Sequence, residues 1–259
     1  MNLLLLHADE LDADGVAMLH GRRAEHLRNV IKPALGASLR AGVIDGARGT
    51  VIVRSIASDS YQVAFAPSQA ADPVPPHALH ALTVVLAVPR PKVLSRVIET
   101  LATFGVQRIV LTNSWRVDKA YLESPRMAAP ALREDCILGA EQGGHTRLPT
   151  ISVYPRLMQM LDAEFPSDAV GAPGVRLVAH PGALLDACGH AASSASAMPA
   201  VLALGPEGGW IERELATLAE RGFAPLWLSS SILRVETAVA AALAQLELAF
   251  ARRGEAHGE

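Results

Sequence analysis

The chain has 259 residues, of which 50% are hydrophobic and 19% charged; that balance can bury a sizeable core and excludes global disorder. A formal net charge of −3 argues against a general, sequence-blind nucleic-acid binder, while leaving room for local basic patches. Two cysteines, Cys136 and Cys188, cannot form a disulfide framework; they fit a reducing cytoplasm, and the absence of zinc-type Cys/His spacing predicts no metal centre.

Residues 1–6 are apolar but lack a basic leader, and Asp9 and Glu10 follow at once. They are read as a first strand rather than a signal peptide. Further short strands are predicted at 38–43, 49–56 and 61–66, parted by turn residues such as Asp45-Gly46 and interrupted by a helix at about 22–30. About five short strands in so short a segment suggest a small β-barrel. Residues 67–76 hold Pro67, Pro73, Pro75 and Pro76. Proline fixes the backbone and donates no ladder bond, so the stretch is read as a linker between a segment 1–72 and a segment 78–259.

Beyond the linker the pattern becomes α/β. Strands are predicted at 82–88, 108–112, just after Pro149, 175–179, 201–204 and 226–228. Helices are predicted at 92–104, 129–142, 156–164, 211–222 and 235–252, and 187–200 reads as a helix end plus loop. Continuous apolar strands between amphipathic helices imply a parallel sheet covered on both faces. The longest clean apolar run, 81–88, is far shorter than the roughly 20 residues of a membrane helix, so no membrane partner is expected.

Charge is uneven. Residues 20–54 carry seven basic side chains (among them Arg22, Arg23, Arg28 and Lys32) against Glu25 and Asp45. Residues 82–133 carry eight, including Arg90 and Lys92, against three acids. One such segment is ordinarily a solvated face. Two inside a net acidic protein, one of them on a barrel, suggest directed binding of a polyanion, and Arg22, Arg23, Arg28, Lys32, Arg90 and Lys92 are the residues expected to contact it.

The sharpest motif is Gly205-Pro206-Glu207-Gly208-Gly209, between a strand ending at Leu204 and a helix. Glycine turns at the carboxyl ends of parallel strands are where α/β proteins bind ligands. Neither common phosphate loop is present. Glu207, Glu212 and Glu214 would repel an anion, so a neutral or cationic ligand fits better. A second motif follows Leu228: Ser229-Ser230-Ser231-Ile232-Leu233-Arg234-Val235-Glu236-Thr237-Ala238 leads into a nearly apolar last helix. Such a helix is buried or sits in a subunit interface. Charges at its entrance would then be partly buried, either as an Arg234–Glu236 ion pair or in a functional role. His180-Pro181-Gly182 ends another strand at the same sheet edge, whereas His77 and His80 look incidental.

These late motifs, in this order and spacing, resemble the 16S ribosomal RNA uridine-N3 methyltransferase family of the SPOUT superfamily. Gly105-Val106, Glu141-Gln142 with Pro149, and His180-Pro181 are weaker matches. The chain departs from the family at Ser229 and Ser231, where relatives commonly carry Gly and Arg, at Thr103-Phe104 before Gly105-Val106, and at His145, where an arginine is common. The resemblance implies an α/β fold: a C-terminal trefoil-knotted parallel-sheet domain (78–259) with a small N-terminal PUA-like β-barrel (1–72) that binds RNA. It implies S-adenosylmethionine as cofactor, a cytoplasmic homodimer, and 16S ribosomal RNA, within the small ribosomal subunit, as partner.

On that resemblance His180, Leu204, Gly205, Gly208, Gly209, Leu228, Ser229, Ile232, Leu233 and Thr237 would hold the cofactor. Arg234 would steady the uracil anion, and Glu207 or Glu236 would assist removal of the N3 proton or hold Arg234. The rivals are a knotted methyltransferase acting on a tRNA ribose 2′-hydroxyl and a non-catalytic RNA-binding ribosome-assembly factor.

Overall fold

The computed structural model describes residues 2–68, 78–166, 175–193 and 199–256. Most of the proline-rich stretch lies outside them. The first sheet has five strands, β1 (Leu4–Leu6), β2 (Val16–Leu19), β3 (Ser38–Val43), β4 (Arg48–Ile56) and β5 (Tyr61–Pro67), in the order β1-β3-β4-β5-β2. β1 and β3 are parallel and the other pairs antiparallel. Alternating residues of these strands, Leu4, Leu6, Ala17, Leu19, Val51, Val53, Tyr61 and Val63, turn inward. The sheet curls around this core, and α1 (Gly21–His26) closes it with Ala24 and, one residue on, Leu27. The sequence reading missed β2, a four-residue strand with only two fully buried side chains.

The second sheet contains β6 (Thr83–Ala87), β7 (Arg108–Thr112), β8 (Thr150–Tyr154), β9 (Val175–Ala179), β10 (Pro199–Leu204) and β11 (Phe223–Leu226). All six are parallel, in the order β11-β9-β10-β6-β7-β8. Its helices are α2 (Pro91–Thr103), α3 (Lys119–Leu122), α4 (Ala129–Gly143), α5 (Leu157–Glu164), α6 (Ala187–Ser193), α7 (Glu212–Glu220) and α8 (Val235–Ala256). The predicted last strand shifts back to β11. Phe223 and Leu226 are buried in the core, while Leu228 leaves the sheet to wall a cavity. Pro225 is tolerated because β11 is an edge strand.

Helix α2 buries Leu94, Val97, Ile98, Leu101 and Ala102, the spacing of one helical face. It packs against α4 backbone to backbone. A Cβ on Gly139 would lie 2.2 Å from the Glu99 carbonyl oxygen, and one on Gly143 2.2 Å from that of Thr103, so two glycines one turn apart set the crossing. α8 buries Val239, Ala242, Leu243 and Leu246 and leaves Leu248 half exposed.

The two sheets are joined tightly. Arg22 donates to Glu134 at 3.0 Å and to the buried Glu141 at 2.7 Å, both on α4. The backbone N–H groups of Asn2 and Leu3 both reach the Glu141 carbonyl at 3.0 Å. Arg48 donates to the carbonyl of Gly144, and Asp45 is held to Thr146 and Leu148. Among the described residues no helix is long and apolar enough to cross a membrane, and no group of three or more His, Cys, Asp or Glu could hold a metal ion.

Candidate active site

The carboxyl ends of β9, β10 and β11 converge on a cavity of about 290 Å³, close to the lower size for small-molecule sites. Its walls come from Ala179–Pro181, from Leu204 through Trp210, from the segment after β11 and from the start of α8. The glycine loop is a tight turn in which the Gly209 N–H donates to the Pro206 carbonyl at 2.8 Å. Gly209 has φ +70°, a conformation that favours glycine. Gly205 lies against the Trp210 ring, where a Cβ would meet indole atoms at 3.2 Å. At Gly208 a Cβ would come within 2.9 Å of the Arg116 Cδ, and Arg116 donates to the Gly208 carbonyl.

Carboxylates tie this loop to its neighbours. Glu207 accepts the Arg90 N–H at 3.0 Å, linking the loop after β10 to the first residue before α2. Glu214, which is buried, accepts the N–H groups of Ile211 at 3.0 Å and Trp115 at 2.8 Å. On the far wall the Ser231 N–H donates to the Ser229 hydroxyl at 3.0 Å, and Gln245 of α8 donates to the Leu228 carbonyl at 2.8 Å. His180 Nδ1 accepts from the Gly182 N–H at 3.1 Å, so this ring shapes its own turn.

Of the residues singled out in the sequence, His180, Leu204, Gly205, Glu207, Gly208, Gly209, Leu228, Ser229, Ile232 and Leu233 line this one cavity. Arg234, Glu236 and Thr237 do not line it, although Leu233, Val235 and Ala238 do. Arg234 is exposed, which corrects the expectation that it is partly buried, whereas Glu236 is half-buried as expected. Among the described residues no ion pair joins them. Arg116 and Trp210 escaped the sequence reading. Trp210 adjoins Gly209 and was legible as a wall residue, whereas Arg116 reaches the loop from the far end of β7.

The expected RNA contacts fare differently. Arg22 is held by Glu134 and Glu141, and Arg23 by Glu10 and the Leu5 carbonyl. The two are structural clamps, not the free cations that a charge count suggests. Arg28 is half-buried and Lys32 exposed, while Arg90 and Lys92 are exposed at the start of α2. His80, read as incidental, packs edge-to-face on His145 with ring centroids 5.5 Å apart.

A six-stranded parallel sheet with a glycine-walled cavity at its carboxyl edge defines a ligand-binding α/β protein. A family model for the RNA methyltransferase domain matches residues 75–247, and the chain belongs to that family. It is 29% identical to a ribosomal RNA small subunit methyltransferase E of Treponema pallidum over 248 residues, 94% of this chain and 90% of that one. A second relative, a ribosomal RNA small subunit methyltransferase E 1 from Borreliella burgdorferi, is 27% identical over 93% of this chain and 95% of its own. The fold matches that of a ribosomal RNA small subunit methyltransferase E from Neisseria gonorrhoeae, solved bound to S-adenosylmethionine. The TM-score is 0.71 at 20% identity, over 96% of this chain and 97% of that one.

Proposed function

We propose that the chain transfers a methyl group from S-adenosylmethionine to N3 of one uridine in 16S ribosomal RNA, within the small ribosomal subunit and as a homodimer. The observation that carries this reading is the cavity at the carboxyl edge, walled by the glycine loop and the serine loop together. The residues present fit the cofactor. At Gly209 a Cβ would meet no protein atom within 4 Å, so the loop backbone is open there. The Trp210 indole N–H is buried with no protein acceptor. The loop's carboxylates suit a cationic sulfonium and disfavour a phosphate. Leu204–Gly209 and Leu228–Leu233 would hold this group, which supplies an electrophilic methyl on sulfur.

Uridine N3 carries a proton and becomes a good nucleophile only when that proton leaves. Arg234, exposed beside the cavity but not lining it, faces the incoming base and steadies the negative charge that grows on the uracil oxygens. Glu207 is occupied by the Arg90 N–H. Glu236, two residues from Arg234, is therefore the carboxylate that accepts the proton. The placement of β9 between β10 and β11 supports threading of the C-terminal segments as a trefoil knot. The curled first sheet supports a PUA-like barrel that carries RNA, so residues 1–72 contribute RNA binding and residues 78–259 cofactor binding and dimerisation. Trp115 and Ile232, 80% and 83% exposed beside the cavity, together with half-exposed Leu248, supply apolar surface for a second copy.

The test is nucleoside mass analysis of 16S RNA from cells lacking this protein, complemented with wild type or Arg234→Ala. A 3-methyluridine that disappears and returns only with wild type is expected. Loss of a ribose 2′-O-methyl mark instead would refute the assignment. In single-turnover assays Arg234→Ala should lose on the order of 10²–10³ in rate with cofactor affinity intact, and Arg234→Lys should rescue poorly because a point charge cannot copy the planar guanidinium.

A further inference from the structure

A band of connected hollows runs along the opposite edge of the parallel sheet, where the curled sheet meets it. One hollow, of about 350 Å³, is lined by Arg40 and Arg48. The next, about 240 Å³, shares Arg48 and adds His80, His145 and Arg147. The third, about 960 Å³, shares Arg147 and continues past Arg133 and Arg108. Thr83, Gln107 and Thr150 place the band at the amino ends of β6, β7 and β8. Its floor is built rather than incidental. Gly105 has φ +68°, and a Cβ there would lie 2.9 Å from His80 Nε2 and 3.0 Å from His145 Cε1.

The band is cationic. Arg40, Arg133 and Arg147 are exposed, and none forms an ion pair among the described residues. Arg48 is anchored on the Gly144 carbonyl and lines two of the hollows. Arg108 is neutralised by Glu164 at 2.5 Å. Asp45 is the one carboxylate among the described lining residues, and its Oδ1 accepts the Leu148 N–H at 3.0 Å.

We infer that this band is a track for the phosphodiester backbone of the RNA, running from Arg40 across Arg48 and Arg147 to Arg133. The inference rests on the reading of the chain as an RNA methyltransferase and adds the path by which its substrate is held. Planar guanidinium forks match phosphate oxygens in pairs. Their spread along an elongated trough fits a repeating charge better than a single small anion. The cations that a charge count picks out first, Arg22 and Arg23, are already held by carboxylates, so the track runs over other cations, Arg40 of β3, Arg133 of α4 and Arg147 before β8. Five-residue strands, roughly 15 Å long, part the band from the methyl-donor cavity. The band therefore governs RNA affinity and leaves the chemical step alone.

The test compares the full-length wild type with Arg133→Glu/Arg147→Glu, with Arg40→Glu, and with Arg156→Glu, a charge-matched control at the carboxyl end of β8. Filter binding to transcribed 16S ribosomal RNA is measured across a KCl series. The double variant should bind at least tenfold more weakly at 0.1 M KCl, with the log–log salt slope reduced by about 1.5–2. Arg40→Glu should reduce it by about half as much, and Arg156→Glu should match wild type. Calorimetric S-adenosylmethionine affinity and the single-turnover rate at saturating RNA should be unchanged. Wild-type affinity and slope in both track variants would overturn the inference, as would a wild-type protein that retains no RNA. Competition by polyglutamate as effective as that by RNA would also overturn it, by assigning the band to an acidic peptide. Normal RNA binding without methylation of any uridine would instead refute the functional reading and leave the track standing.

Discussion

Glu207 can be dissected because its two roles respond differently to the same pair of substitutions. Its carboxylate accepts the Arg90 N–H at 3.0 Å, at the residue just before α2. Glutamine keeps an acceptor oxygen and loses the charge; alanine loses both. An exposed capping hydrogen bond of this kind is worth about 1 kcal/mol. For a chain of this size that corresponds to a fall in Tm of about 2–4 °C. Glu207→Ala should therefore melt a few degrees lower and bind S-adenosylmethionine more weakly, because the Gly208 and Gly209 turn loses its anchor. Glu207→Gln should melt like wild type and retain methyl transfer within about threefold, since general-base catalysis is assigned to Glu236. Differential scanning fluorimetry, cofactor calorimetry and single-turnover methylation of 16S RNA read the three quantities separately. A loss of 10²-fold or more in Glu207→Gln, with Tm and cofactor affinity unchanged, would make Glu207 the proton acceptor and refute the assignment.

Gly209→Val should weaken cofactor binding at least tenfold in a folded protein. Its φ of +70° makes a β-branched residue costly by about 1–2 kcal/mol, although a Cβ there would meet no protein atom within 4 Å; wild-type calorimetry would remove this turn from the cofactor site. Arg22→Met leaves the carboxylate of Glu141, 2% exposed, without its cation. It should cost about 2 kcal/mol in urea unfolding, less than a fully buried pair because Arg22 is 39% exposed, and adding Glu141→Leu should recover most of the loss. Burial pushes the Asp135 carboxyl above its ordinary range, and the charge of Glu134 adds to the shift. A carboxyl raised in the folded state contributes stability below its unfolded value of about 3.8 and loses it as pH rises through the folded value. Asp135→Asn should therefore match wild type in acid and exceed it in Tm toward pH 8; a gap of constant size across the pH range would refute the burial argument.

The parallel sheet was legible because its strands are short, continuous apolar runs separated by helices with a single buried face, as at Leu94, Val97, Ile98 and Leu101. The cavity was legible for a related reason. Its walls are the loops at strand ends, and contiguous motifs keep their neighbours when the chain folds. What failed were inferences that needed a partner from elsewhere. Arg22 and Arg23 looked available until α4 supplied Glu134 and Glu141 and the first segment supplied Glu10. His80 looked idle until His145, 65 positions later in the chain, came to rest against it. Arg234 and Glu236 were read as partly buried because the helix they open is apolar; Glu236 is half-buried, but Arg234 is exposed. Charge counting along a sequence measures supply; which cations remain for a ligand depends on carboxylates that the fold brings from a distance.

The single bond between Glu207 and the Arg90 N–H connects this reasoning to the sheet order. In β11-β9-β10-β6-β7-β8, β10 and β6 are neighbours, and from there β7 and β8 extend to one side and β9 and β11 to the other. Loops leaving β10 and β6 must diverge at that place, and the gap between diverging loops is where an open parallel sheet accepts a ligand. Glu207 spans the gap, from the loop after β10 to the first residue before α2. Arg116 closes it from the loop after β7 through the Gly208 carbonyl, and Glu214 holds that same loop by the Trp115 N–H. Three side chains thus fix the glycine turn against the half of the sheet that does not carry it. The turn is rigid before any ligand arrives, so its affinity is not spent on ordering the loop. The serine loop on the other wall, whose Leu228 carbonyl is tied to Gln245 of α8, leaves Ile232 83% exposed. The cavity accordingly has one fixed wall and one wall whose outer surface, with Arg234 on it, is exposed; in the proposed reaction the RNA base arrives on that exposed side.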